Sequence, residues 1–262
     1  MALPEPLLPL AARPHEAAVL VDFDGSISEI VNDPGSARVL PAARNALAAV
    51  VGNVARVGVV SGRPVQVLAR AIDVPGITLV GQYGLERLVE GRVVVDPRAE
   101  PYLPAVAAAA DDAERELPGL LVERKGGIAV TVHWRTAPDR EAEAITAVDE
   151  IARRHGLTVY ATRMARELRP PVPVDKGSAV ESLLDGVGAA CFAGDDRGDL
   201  PAFAALERAV AEGRLEHAVR VAVGSAESPP ELLEQADVVV DGPAGLASLL
   251  EAIAGAVSGT RC

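Results

Sequence analysis

Cysteine is nearly absent from this chain of 262 residues, which has Cys191 within AACFAG and Cys262 at its end. Two thiols in these contexts offer neither a disulfide framework nor a metal motif, and Cys191 reads as a small buried hydrophobe. Positive charge is short as well, since 25 Lys and Arg stand against 37 Asp and Glu for a net charge of −12. Nucleic acid and anionic membranes recruit basic surfaces, so neither is expected as a partner. A small anionic ligand held by a local cationic site stays open. No apolar run reaches membrane-spanning length, and MALPEPLLPLAARPHEAA lacks a basic leader and is interrupted by prolines, unlike a signal peptide. Internal repeats and long flexible linkers are also missing. The expectation is a soluble, cytoplasmic, globular protein, monomeric and acting on a small molecule.

What is present is an ordinary share of apolar residues, 49%, and of charged ones, 24%, enough for a substantial core. Strand-like runs alternate with helical patterns: AAVLVDF, PAARNALAAVV, ARVGVV, PVQVLARAI and ITLVGQYG. The alternation returns towards the C-terminus, with a helix from Lys176, strands in AACFAG, AVRVAVG and DVVVDG, and a helix in PAFAALERAV. This βαβ order predicts an α/β fold, a Rossmann-like parallel sheet with helices on both faces. Between the halves the pattern changes. The helix PAVAAAADDAEREL, the hairpin LLVERKGGIAVTVHWR, the helix DREAEAITAVDEIARRHG and two short strands read as an inserted α/β domain over residues 97–173. Residues 1–96 and 174–262 then form the core domain.

In VLVDFDGSISEI an apolar strand ends in two carboxylates, Asp22 and Asp24. Buried acids in such proximity repel each other and need compensation. Ligands of open α/β sheets sit beyond the carboxyl ends of the strands, and Asp22, Ser61 and Asp195 each follow a strand candidate directly. Asp22, ionised at neutral pH, suits nucleophilic attack on phosphorus, and Asp24, two residues on, suits the acid and base steps. GDDRGDL adds Asp195, Asp196 and Asp199, an oxygen-rich set that with Asp22 and Asp24 suits Mg²⁺. Lys176 supplies a fixed positive charge. Ser61 would present a hydroxyl, and Gly62 a backbone N–H, to a phosphoryl oxygen at a helix N-terminus.

DFDGS, VVSGR, the lysine of DKG and GDDRGD, read in order, resemble the four motifs of the haloacid dehalogenase superfamily of phosphohydrolases. The likeness runs from Val19 to Gly242. Asp24 and Ser61 are 37 residues apart, too few for a cap domain, whereas Ser61 and Lys176 are 115 apart, so the cap falls between the second and third motifs. That is the arrangement of the superfamily's sugar phosphatases; the usual mutase cap lies after the first motif. DFDGSISEIVNDP, GQYGLE, ERKGGIAVTVHWR and ELRPPVPVDKG are similar in particular to trehalose-6-phosphate phosphatases. The resemblance implies Mg²⁺-dependent hydrolysis of trehalose 6-phosphate through an aspartyl phosphate. It places substrate contacts on Ser61, Gly62, Arg63, Gln82, Tyr83 and Gly84.

Alternation in the inserted hairpin sets Glu123 and Lys125, then Thr131, His133 and Arg135, on one face, with Val130, Val132 and Trp134 on the other. Glu167 and Arg169 repeat it around Leu168. Such a face supplies the directed donors and acceptors a disaccharide needs, or is a solvated sheet face. Tyr83 stands where the family commonly has histidine, Ser26 and Gly198 where it has threonine, and Leu200 where it has glutamate. Another phosphorylated disaccharide or pseudo-disaccharide is therefore an open alternative. A non-catalytic phosphoacceptor is a third, although such modules are about half this length and need no cap.

Overall fold

A computed structural model describes residues 2–31, 36–162, 164–226 and 228–258. Cys262 and the Asn32-Asp33-Pro34 end of the first motif lie outside the described residues. The chain divides into two compact units, residues 1–93 with 174–262, and residues 94–173.

The first unit opens with α1 (Leu8–Ala12), followed by β1 (Ala17–Val21), α2 (Pro41–Val50), β2 (Arg56–Val60), α3 (Val65–Ile72) and β3 (Thr78–Gly81). A hairpin of β4 (Glu86–Val89) and β5 (Arg92–Val95) turns at Glu90 and Gly91, both left-handed with φ 49° and 76°. The second unit contains α4 (Leu103–Glu116), β6 (Leu121–Lys125), β7 (Ala129–His133), α5 (Glu141–His155), β8 (Thr158–Thr162) and β9 (Ala165–Arg169). The chain then returns through α6 (Lys176–Glu181), β10 (Ala189–Gly194), α7 (Leu200–Ala211), β11 (His217–Gly224), α8 (Pro230–Gln235), β12 (Val238–Asp241) and α9 (Gly242–Ser258). Among the described residues no helix is long and apolar enough to cross a membrane.

Eight strands form one sheet in the order β12-β11-β10-β1-β2-β3-β4-β5. The six from β12 to β3 run parallel, and β4 is antiparallel to β3. The expected parallel sheet thus gains an antiparallel edge. The link from β4 to β5 is a tight turn, too short for the crossover that parallel neighbours require. β1 shows why the central strands are apolar throughout. Val19 and Val21 enter a core with Leu47 of α2 and Leu250 of α9, while Leu20 faces Phe192, Phe203 and Leu183 on the opposite side. Cys191 is 3% exposed in the first of these cores, and burial pushes its thiol up to about 12, so it packs as an inert small residue.

The chain order reverses direction between β10 and β1, which lie side by side. At such a switch point a crevice opens beyond the carboxyl ends of the strands. Asp22 follows β1 and Asp195 follows β10, and the N–H of Asp22 donates to Ala193 at 2.8 Å.

The second unit has a four-stranded antiparallel sheet, β6-β7-β9-β8. Val130, Val132, Leu168 and Trp134 pack against Val106 and Ala109 of α4 and Val148 and Ile151 of α5. Trp134 therefore belongs to the core. α5 is built for its ends, with Glu141 and Glu143 in its first turn, Arg153, Arg154 and His155 in its last, and a left-handed Gly156 cap.

Candidate active site

Asp22, Asp195 and Asp199 come together beyond β1 and β10, each offering a carboxylate oxygen within 4.8 Å of the others. Lys176 lies among them. Its Nζ donates to Asp199 Oδ1 at 2.7 Å and pairs with Asp22 Oδ1 at 2.9 Å. The lysine arrives there because α6 starts immediately after Asp175, whose side chain caps the helix in a reciprocal box with Ser178. Asp199 has its other oxygen occupied by the N–H groups of Asp195, at 2.9 Å, and Asp196, at 3.1 Å.

Three buried carboxylates beside one ammonium carry an excess of negative charge. Burial disfavours the charged form of Lys176, yet Asp199 and Asp22 outweigh it and hold its pKa well above the usual lysine range. Burial raises Asp195 to about 7, aided by Asp199 and Asp196 and opposed by Lys176 and by Ser26, which donates at 3.3 Å. Asp22 is also raised, by burial first and by Asp199 and Asp195, with Lys176 pulling the other way. A hard divalent cation would relieve this excess, and the donor set of carboxylate oxygens suits one. The cradle is close-fitting: a Cβ on Gly25, which has φ +73°, would fall 2.0 Å from Asp195 Oδ2.

Two acids of the expected metal set stand outside this group. Asp24 is gripped by Arg63, whose Nε donates to Oδ2 at 2.7 Å and whose terminal nitrogen donates to Oδ1 at 2.6 Å. The guanidinium also lies 5.2 Å above the Phe23 ring. Asp196 is exposed and caps a short turn, accepting from Gly198 at 2.7 Å.

Ser61 is 2% exposed at the end of β2, with its Oγ accepting from the N–H of Arg63 at 3.2 Å. The ring of Tyr83 lies over Gly62, where a Cβ would come within 2.5 Å of it. Gln82 is fully buried, and Gly84 lies beside Ala179 of α6. At the start of α3 the N–H of Val65 donates to the buried carboxylate of Glu86.

In the second unit, pairing registers align Glu123, Thr131, Glu167 and Tyr160 across the four strands, on the face away from α4 and α5. Glu167, 1% exposed, accepts from Lys125 at 2.5 Å and Thr131 at 3.0 Å and is ion-paired with Arg169 at 2.9 Å. His133 lies 3.0 Å from Glu123, and the Arg169 guanidinium lies 3.6 Å from the Tyr160 ring centre. Arg135 falls beyond the end of β7, in an exposed turn. Glu86 and Tyr160 were not singled out by sequence. Glu86 lies in GLERL between Leu85 and Arg87, a context that gives no sign of burial.

A family model described as trehalose-phosphatase matches residues 20–237. A trehalose-phosphate phosphatase of Mycobacterium leprae (strain TN) is 37% identical over 181 residues, covering 67% of this chain and 41% of that protein. The chain therefore spans about two fifths of that relative's length. Among solved structures, a trehalose-6-phosphate phosphatase related protein superposes with a TM-score of 0.77 at 24% identity, covering 93% of this chain and all of that one. A haloacid dehalogenase-like hydrolase from Bacteroides thetaiotaomicron superposes with a TM-score of 0.64 at 15% identity, covering 90% and 99%. The fold is thus haloacid dehalogenase-like, and with a family match running from β1 to the approach to β12, the chain belongs to the trehalose-phosphatase family.

Proposed function

We propose that the protein is a phosphoric monoester hydrolase that releases phosphate from trehalose 6-phosphate. The observation that carries this reading is the contact of Asp22 with Lys176, beside Asp195 and Asp199 at the switch point of the sheet. Asp22 attacks phosphorus, a bond forms between its carboxylate oxygen and phosphorus, and the bond from phosphorus to the sugar oxygen breaks. Asp24 gives its proton to the leaving sugar oxygen. It then takes a proton from the water that attacks the aspartyl phosphate, and Asp22 is restored. Lys176 stays charged throughout and holds Asp22 in place while negative charge moves. Mg²⁺, held by Asp22 and Asp195 with Asp199 alongside, would offset the charge of the carboxylates and of the phosphoryl oxygens.

Ser61 and the N–H of Gly62 receive a phosphoryl oxygen, and Arg63 orients Asp24. Residues 97–173 act as the cap. Their polar face, with Glu123, Lys125, His133, Glu167 and Arg169, recognises sugar hydroxyls, while Arg135, Gln82, Tyr83 and Gly84 complete the substrate contacts. The family and the named relative support trehalose 6-phosphate as the substrate. Tyr83 favours a second reading, another phosphorylated disaccharide, because its ring lies over Gly62 at the phosphate loop.

The test is phosphate release from trehalose 6-phosphate, sucrose 6-phosphate and glucose 6-phosphate, with magnesium and with chelator. Trehalose 6-phosphate should be the best substrate, and chelator should stop its turnover. A clear preference for another disaccharide would move the assignment to the second reading, and undiminished turnover in chelator would remove the metal.

A further inference from the structure

Glu86 is a carboxylate with no place in the chemistry above, yet it is 2% exposed and its Oε1 accepts from Val65, the first residue of α3. Burial raises its pKa and the Val65 N–H opposes that shift, so the group is retained against a desolvation cost. The surrounding contacts are equally close. A Cβ on Gly81 would lie 2.6 Å from the nitrogen of Val65, 2.7 Å from the carbonyl oxygen of Arg63 and 2.9 Å from Glu86 Oε1. Only a glycine lets these three groups converge.

The segment from Gly81 to Glu86 grips the loop after β2 at three further points. Gln82 donates its N–H to the carbonyl of Arg63 at 3.0 Å, Tyr83 donates to the carbonyl of Ser61 at 3.0 Å, and the Tyr83 ring covers Gly62. Gln82 and Tyr83 have φ of 50° and 60°, a left-handed pair of non-glycine residues. Strain of this kind persists only where surrounding contacts over-determine it, and it concentrates at functional sites. Ser61 to Val65 is thus bound along its length by one short segment, with Glu86 at the far end.

The same loop carries Arg63, which holds both oxygens of Asp24. Moving the start of α3 moves the backbone of Arg63 and with it the guanidinium fork. We infer that Glu86 is a positioning residue: by capping α3 through the Val65 N–H it fixes the Ser61–Arg63 loop, and through Arg63 it sets the orientation of Asp24. The inference rests on the proposed roles of Ser61 and Asp24.

The experiment compares Glu86→Ala, Glu86→Gln, Arg63→Ala and the double variant Glu86→Ala/Arg63→Ala. It reads kcat and KM for trehalose 6-phosphate, thermal stability, and amide hydrogen exchange over residues 61–72. Glu86→Gln keeps an acceptor for Val65 and should remain within a few-fold of wild type. Glu86→Ala should lower kcat roughly 10- to 100-fold, the range for a misplacement of about 1 Å, while KM moves less. It should also speed exchange over residues 61–72. If Glu86 acts through Arg63, the double variant should lose little more than Arg63→Ala alone. A folded Glu86→Ala with wild-type kcat would overturn the inference, as would fully multiplicative losses in the double variant. If wild type hydrolyses none of the tested esters, the proposed function is at fault instead. The exchange measurement then decides on the clamp by itself, with unchanged exchange in Glu86→Ala counting against it.

Discussion

Asp199, itself fully buried, accepts from Lys176 on one oxygen and from two backbone N–H groups on the other. An exposed ion pair contributes about 0–1 kcal/mol, but removing one partner of a buried pair leaves an uncompensated charge and costs about 3–5 kcal/mol. Lys176 keeps Asp22 when Asp199 is removed, so the loss falls on the N–H groups of Asp195 and Asp196, and Asp199→Ala should destabilise the fold by about 1–3 kcal/mol in urea unfolding. Burial raises the pKa of Asp199 and of Asp195 alike. The charge of Asp195 is opposed by burial and by its neighbours, so Asp195→Asn should raise the stability of chelator-treated protein at neutral pH while abolishing turnover. A loss of stability in that variant would show that Asp195 is held by contacts stronger than the repulsion it relieves.

At the scale of elements, α4 and α5 are joined at their ends by an ionic cluster centred on Asp112. Arg154 approaches its carboxylate at 2.6 Å, His155 at 2.8 Å, and Arg115 also donates to it. His155 first, then Arg115 and Arg154, hold Asp112 well below its ordinary pKa of 3.8. A carboxyl whose folded pKa is depressed contributes stability above its unfolded pKa, and that contribution fades as pH falls through 3.8 towards the folded value. The protection of α4 and α5 against hydrogen exchange, relative to the intrinsic rate at each pH, should accordingly fall below about pH 4, and Asp112→Ala should flatten that dependence. An unchanged acid profile in the variant would assign the acid sensitivity to other carboxylates. The antiparallel edge β4–β5 belongs to the same scale. Its turn at Glu90-Gly91 is flanked by only four strand residues on each side, an alternation too short to mark a hairpin in the sequence.

Across the whole molecule, legibility follows the range of the interaction. The ends of β1, β2 and β10 could be read because apolar runs stop abruptly at Asp22, Ser61 and Asp195, and parallel-sheet topology then puts strand ends on one edge. Which acids form the cluster could not be read that way. Asp24 turns to Arg63, 39 residues away, and Asp196 to its own turn, choices made by side-chain geometry that spacing does not encode. Tyr160 joins the polar row of the second sheet only through the register of β8 on β9. Glu86 was hidden for a related reason, since its partner is a backbone N–H and no sequence pattern marks one. The family match covers both units, while the residues themselves show the excess of carboxylate charge gathered at the strand ends.

The most direct measurement is acid quenching of the wild-type protein during turnover of trehalose 6-phosphate, followed by mass mapping of the peptide that contains β1. A phosphoryl group on Asp22, with neither adduct nor phosphate release in Asp22→Asn, is the predicted result. Phosphate released without any adduct on Asp22, or turnover retained in Asp22→Asn, would contradict it.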